Sequence, residues 1–445
     1  MNRRTFLLGS GLAVGAAGIV LPMASGGGGS AASLTSGTAT TDPDQLFRLG
    51  RFDAADRGYA QLLHTDPRNA HAVAQRGYIA LLSNRFAAAE KYLSRAVALA
   101  PGDVASKQRL AETFVRQGRY GRAVPLLQET GSPRDKAFAT LYDKFTGTPW
   151  RIHGTSSTRV PFYGLDPIPS VEASLNGGAP KKFFLDTYAT LDLSKEVAEQ
   201  AGLRAVATLS GVASTQPVTI YLGVLDSFRI GNIEVRNLPV QWIDNRRPPL
   251  PDGSQPAGVI GTTVLYHFLA TMDYAGQALE LRRNTAVQRQ RFRTQAERAG
   301  FSRLPLWLAG DHYLCTVGAL RDYGPRVVTL DTGGIGHGLD TSVEIAEKVG
   351  FTVDRDHPIG TGETAVYPVT ADRVSLGKAV GHDIKGFAAP QVFPGFPGPG
   401  QSGQFGFDLI ANFTHEFFKP FSITFDYEDM AFYTGKPSPV RKQRG

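Results

Sequence analysis

Cysteine is almost missing from this chain. Cys315 is the only one in 445 residues, so no disulfide can close within it. The nine histidines include no His-Glu-x-x-His or similar ligand spacing, and no Gly-x-Ser-x-Gly turn or phosphate-binding glycine loop occurs. Metalloprotease, serine-hydrolase and phosphate-loop chemistry therefore have no footing, and no metal or organic cofactor is expected. Excess charge is also scarce. The formal net charge is +7, concentrated in the six arginines of 282–298 and in the tail from Lys436 to Arg444. A lone Phe292 beside that charge gives no base-reading element, so nucleic acid is not an expected partner. A long hydrophobic run is missing too. The stretch Leu7 to Leu21 is short and glycine-rich, which argues against a spanning helix.

What is present begins with Arg3-Arg4-Thr5-Phe6-Leu7-Leu8, a twin-arginine pair before an apolar run, followed by small residues around Ala24-Ser25-Gly26. Residues 1–26 are read as a twin-arginine signal peptide, which implies bacterial export to the periplasm or beyond and no integral span after cleavage. No cysteine follows the run to take a lipid, and a protein exported already folded needs no oxidative stapling. Residues 27–43, rich in Gly, Ser, Thr and Ala, are expected to be a disordered linker.

Residues 44–130 repeat with a period of 34. Gly50, Asn84 and Gly118 keep that spacing, as do Phe52, Phe86 and Tyr120, and Ala55, Ala89 and Ala123, with Pro67 and Pro101 as closing residues. The pattern resembles tetratricopeptide repeats, in which small residues let paired helices approach and aromatics fill the space between them. The resemblance implies an all-α solenoid that either binds a protein partner in a concave groove or serves only as a packing module. Residues 131–158 read as a linker.

The remainder alternates with period two and is rich in glycine and proline, which predicts β-structure (Val171-x-Ala173-x-Leu175, Val218-x-Ile220-x-Leu222). Short helices are predicted near Ser194–Ala201, Val264–Phe268, Ser342–Val349 and Asp408–Phe413, and a longer one over Arg283–Ala299. A motif occurs twice. Phe184-Leu185-Asp186-Thr187 follows one turn and Thr329-Leu330-Asp331-Thr332-Gly333 another. Each is followed by an Ala-Glu-containing helix, an apolar pair ending in glycine (Ile260-Gly261, Phe405-Gly406) and then Asp-Tyr (Asp273-Tyr274, Asp426-Tyr427). The glycines keep register, since 261 − 186 = 75 and 406 − 331 = 75.

Leu330-Asp331-Thr332-Gly333-Gly334 resembles the Asp-Thr-Gly motif of aspartic peptidases, specifically the bacterial retropepsin-like group, and the apolar pair with glycine resembles that fold's second motif. The resemblance spans about 159–435 in two copies. It implies a mainly-β bilobal fold, with lobes at 159–283 and 304–435, a linking helix in 284–303 and a basic tail at 436–445. It also implies a protein or peptide substrate, an Asp186/Asp331 catalytic dyad, an interlobe grip by Thr187 and Thr332 supported by Gly333, and flaps near Leu209–Ile220 and Ile359–Val369, the latter tipped by Gly360 and Gly362. Two carboxylates that share one proton can activate water and polarise a carbonyl together. One departure stands out. Tyr188 occupies the place of the motif's glycine, where its ring either shapes the cleft or obstructs it. The alternative is an inactive peptide-binding scaffold with the same architecture. His267 and Cys315 read as packed core, His337 with Asp340 as a loop contact, and Phe393 to Gly403 as a surface loop.

Overall fold

The computed structural model describes residues 40–213, 216–393 and 395–436. The expected signal peptide and most of the linker and basic tail lie outside them. Among the described residues no helix is long and apolar enough to cross a membrane.

Among the described residues seven helices come first: α1 (Pro43–Arg48), α2 (Phe52–Thr65), α3 (Ala70–Leu82), α4 (Phe86–Leu99), α5 (Val104–Val115), α6 (Tyr120–Glu129) and α7 (Pro133–Asp143). Their period is written in backbone conformation. Gly50, Asn84 and Gly118 all have positive φ, at 72°, 51° and 67°, a region that glycine enters freely and asparagine tolerates. Asn69 and Asp103, also 34 apart, cap α3 and α5 by accepting from Ala72 N and Ser106 N. Ala55, Ala89 and Ala123 are fully buried. α7 falls where a linker was expected. Ser132 caps it and Pro133 opens it, which turns the Gly-Ser-Pro reading of a connector into a helix start.

Three sheets follow. One eight-stranded sheet centres on Lys181–Asp186, flanked by antiparallel Ser170–Leu175 and parallel Gly258–Gly261, with Asp192–Ser194 beyond the latter. A second eight-stranded sheet has the same local order. Tyr323–Leu330 lies between antiparallel Tyr313–Leu320 and parallel Asn412–Phe413, with Leu339–Ser342 beyond. The third sheet has six strands, three from each half of the β-region. It is joined at its centre by antiparallel Phe268–Asp273 and Ser422–Asp426, where Thr271 and Thr424 face each other with hydroxyls 2.8 Å apart.

The pairing corrects two expectations. The strand running parallel behind Asp331 is Asn412–Phe413, not the segment ending at Gly406. Gln404–Gly406 instead closes a short helix, Ser402–Phe405, with Gly406 in the left-handed region. The helix predicted over Asp408–Phe413 is therefore extended chain. The helix Ala286–Arg298 does form, capped by Thr285.

The helices are bound tightly to the sheets. Phe47, Phe52, Tyr59 and Tyr78 share one apolar core with Tyr188, Tyr313, Cys315, Val327, Phe405 and Phe407. Arg116 Nη2 donates to the carbonyls of Leu308 (3.0 Å) and Gly310 (2.6 Å), and Asn84 donates to Tyr427 O. The repeats therefore pack against the β-region along one face.

Candidate active site

Asp186 ends its strand and Asp331 immediately follows the equivalent one, so both carboxyls sit at strand-to-turn junctions. Each Oδ1 accepts from the backbone two residues on, Asp186 from Tyr188 N at 2.7 Å and Asp331 from Gly333 N at 2.8 Å. The turns interlock. Thr187 Oγ1 donates to Leu330 O (2.9 Å) and accepts from Thr332 N (3.1 Å). Thr332 Oγ1 donates to Leu185 O (3.2 Å) and accepts from Thr187 N (3.0 Å). These four reciprocal bonds bring the two motifs together. Gly333 packs directly on Asp186, and a Cβ there would fall inside contact of the Asp186 carboxyl. Behind the turns a small residue changes sides. Ala189 faces Gly261 in the first half and Gly334 faces Thr414 in the second, so each crowded pair keeps one glycine.

Tyr188 supplies the same backbone N–H that glycine supplies at 333, and its ring leaves the aspartates. It packs edge-on against Tyr313, with centroids 4.8 Å apart, and its hydroxyl donates to Gln401 Oε1 (2.6 Å) while accepting from Gly398 N (3.1 Å). The segment around it, expected as a surface loop, is buried at Phe396, Gly398, Pro399 and Gln401, because it forms the pocket that receives this ring.

The two carboxyls are not equivalent. Asp331 Oδ2 accepts from Asn412 Nδ2 at 3.0 Å. The same amide donates to Asp340 Oδ2 at 3.0 Å, and its oxygen accepts from Thr329 Oγ1. His337 Nε2 lies 3.0 Å from Asp340 Oδ1 with both side chains buried, so these residues form a buried ion pair rather than a loop contact. Burial lowers the imidazole's pKa, but Asp340, the Ile335 carbonyl and Asp331 outweigh it and lift His337 to about 9. Burial raises Asp331 to about 6, held down by the Asn412 amide and the Gly333 N–H and by the His337 charge. Among the described residues Asp186 accepts a hydrogen bond only from the Tyr188 N–H, and its Oδ2 has no partner. Burial, then the charge of Asp331, push it well above the carboxylate range. The pair therefore favours one proton, residing on Asp186. In the first half the position of Asp340 is taken by Asp192, which meets buried Arg247 at 2.8 Å and offers nothing to Asp186.

Residues 171–264 match a family model described as an aspartyl protease. Two tetratricopeptide repeat models match residues 44–104 and 80–142. The match points to a hydrolase domain, and Asp186 lies inside it while Asp331 lies beyond. No curated protein matches the chain. Among solved structures, a Thermobaculum terrenum O-GlcNAc transferase mutant aligns at 21% identity and TM-score 0.22 over 24% of this chain. A MamA RS-1 ArsTM double mutant aligns at 18% identity and TM-score 0.22, also over 24%. The chain spans 22% of the first and 66% of the second.

Of the other expected site residues, Gly360 and Gly362 lie on an exposed turn closed by a single bridge, Ile359 to Val366, in place of a hairpin. The hairpin of Ala207–Ala213 and Gln216–Ile230 forms, but Leu209, Val218 and Ile220 rest against Ala137 and Leu141 of α7, so its base is anchored to the helices. His267 and Cys315 are packed as expected. Burial takes the imidazole down to about 3 and pushes the thiol up. Sequence reasoning missed Asn412, Asp340 as its partner, and Gln401. The signal for Asn412 was available: counted back from Asp426-Tyr427 rather than forward from Asp331, the repeat offset is 153 and maps Val259 onto Asn412.

Proposed function

We propose that this chain is an exported, bilobal, retropepsin-like aspartic endopeptidase whose lobes, 159–283 and 304–435, share one dyad. The observation that carries the reading is the matched pair of Asp-to-N–H bonds locked by reciprocal threonines. Asp331, supplied with donors, acts as the carboxylate that takes a proton from water. Asp186 gives its proton to the peptide carbonyl oxygen as the water oxygen bonds to carbon. The tetrahedral diol then collapses, the C–N bond breaks with a proton passing to the amine, and the pair returns to one proton. Thr187, Thr332 and Gly333 hold the geometry. The twin-arginine pattern supports export to the periplasm or beyond, with residues 1–26 removed.

The helical repeats have a place for a partner. A cavity of about 240 Å³ lies between α3, α5 and α7 and the Gly310–Asp311 turn. Arg109 lines it, stacked 3.8 Å over the Tyr78 ring, and its guanidinium makes no hydrogen bond or ion pair among the described residues. An acidic residue of a substrate protein would complete it.

The second reading, a scaffold that binds peptides without cutting them, draws on burial. Asp186 is 0% exposed and Asp331 1%, so a carbonyl reaches them only if surrounding chain moves. A peptide whose scissile amide is replaced by a hydroxyethylene group separates the two. An enzyme binds it at least about 100-fold more tightly than the parent peptide and loses that preference in Asp186→Asn. Equal affinity for both peptides would favour the scaffold.

A further inference from the structure

Away from the aspartates, Asp166, His415 and Glu416 each offer one ligand atom, and these atoms all lie within 4.8 Å of one another. Asp166 is on the turn before Ser170–Leu175, while His415 and Glu416 open the helix His415–Phe418, so the cluster joins segments 249 positions apart (415 − 166). That separation hides it from any search for ligand spacing.

His415 is what distinguishes this cluster from a chance group of acids. It is 0% exposed, and among the described residues neither ring nitrogen makes a hydrogen bond of good geometry, the Leu165 carbonyl being the nearest acceptor. A buried imidazole left without partners costs about 1–3 kcal/mol, so an arrangement that tolerates it calls for an explanation. The Leu165 carbonyl lies beside the ring. Histidines that ligate metals commonly turn one nitrogen to a backbone carbonyl and the other to the ion.

We propose that Asp166, His415 and Glu416 bind a divalent first-row transition ion, with Zn²⁺ as the best match to one imidazole and two carboxylates. The bonds such an ion makes are about 2.0–2.2 Å long. The two carboxylates must close in slightly, and both are on partly exposed side chains free to do so (76% and 36%). Lys419 Nζ now lies 2.9 Å from Asp166 and 2.7 Å from Glu416, bridging both and leaving the cluster one negative charge in excess. The ion displaces that ammonium. Bound there, the ion ties the turn at 166 to the chain directly after Thr414, the residue that packs on Gly334 and bonds His337 O. Its role is structural, and it does not depend on peptide hydrolysis.

The test is Zn²⁺ titration of the full chain by calorimetry and by competition with a chromophoric chelator, with Co²⁺ absorption reporting the ligand field. One ion per chain is expected. Asp166→Asn and Glu416→Gln each weaken binding at least tenfold, Lys419→Met tightens it, and a fixed excess of Zn²⁺ raises the melting temperature of wild type more than that of Asp166→Asn. His415→Ala abolishes binding if it folds. Asp166→Asn, altered at a mostly exposed side chain, keeps the test sound if it does not. Absence of saturable binding, or unchanged affinity in both carboxylate variants, overturns the proposal. Neither readout needs a substrate, so this result is independent of whether the aspartates cut peptides.

Discussion

Replacing Asn412 by leucine isolates the inequality between the two aspartates. The side chain is fully buried and makes three hydrogen bonds, to Asp331, Asp340 and Thr329. Leucine keeps the number and branching of the side-chain heavy atoms and removes all three. Asp331 loses one of its two donors, and a hydrogen bond to a charged group is worth about 1.5–3 kcal/mol. At 1.36 kcal/mol per pKa unit, that raises the pKa of Asp331 by about one to two units. Asp331 must be ionised to take a proton from water, so the acid limb of kcat/KM against pH moves to higher pH by about the same amount. The alkaline limb, set by deprotonation of Asp186, moves little. Leaving Asp340 and Thr329 short of partners costs stability as well, on the order of 3–5 kcal/mol, readable by urea denaturation. The assay is a pH series on a peptide that the wild type cleaves, run below the variant's melting temperature. A folded Asn412→Leu enzyme with the wild-type acid limb would refute the assignment of Asp331 as the base.

Four further outcomes follow from the same contacts. Thr187→Val deletes a donor to Leu330 O and an acceptor for Thr332 N, and should lower stability by about 2–4 kcal/mol and kcat with it, measured by denaturation and turnover. Tyr188→Gly strips a ring from a packed core, so a loss of about 3–5 kcal/mol in denaturation is expected with no gain in cleavage. Increased turnover would show that the ring obstructs after all. Arg116→Met cuts the bonds from the helices to Leu308 and Gly310, and calorimetry should show the single melting transition broaden or split. Asp186→Asn tests the pH linkage. A carboxyl raised in the folded state contributes stability that is complete below its unfolded pKa near about 4 and is lost as pH rises through the folded value. The asparagine variant should therefore gain on wild type in urea midpoint from pH 5 upward and not at pH 3.

The helices and the two aspartate turns were legible in the sequence because their determinants are local. Gly50, Asn84 and Gly118 dictate a backbone conformation where they stand, and an Asp-Thr pair after an apolar strand carries its own turn. What failed depended on the length of intervening chain. The second half has three more residues before its helix, since 346 − 198 = 148 against 331 − 186 = 145, and five more before Asp426, since 426 − 273 = 153. Those insertions moved the strand behind Asp331 by eight positions, so that the equivalent of Val259 is residue 412 instead of 404, and left Gly406 as a coincidence of spacing. They also built the buried segment around Phe396 that receives Tyr188. A tyrosine in a glycine's place reads as a clash when only its own turn is in view. Its resolution lies in Gln401 and Tyr313, more than a hundred positions away, and only the folded chain brings them together.

The most direct test of the shared dyad is cleavage of a peptide library by the wild type beside Asp186→Ala and Asp331→Ala, each confirmed folded. Defined cut sites are expected for the wild type between about pH 4 and 7 and none for either variant. Cleavage at the same sites by either variant would contradict it.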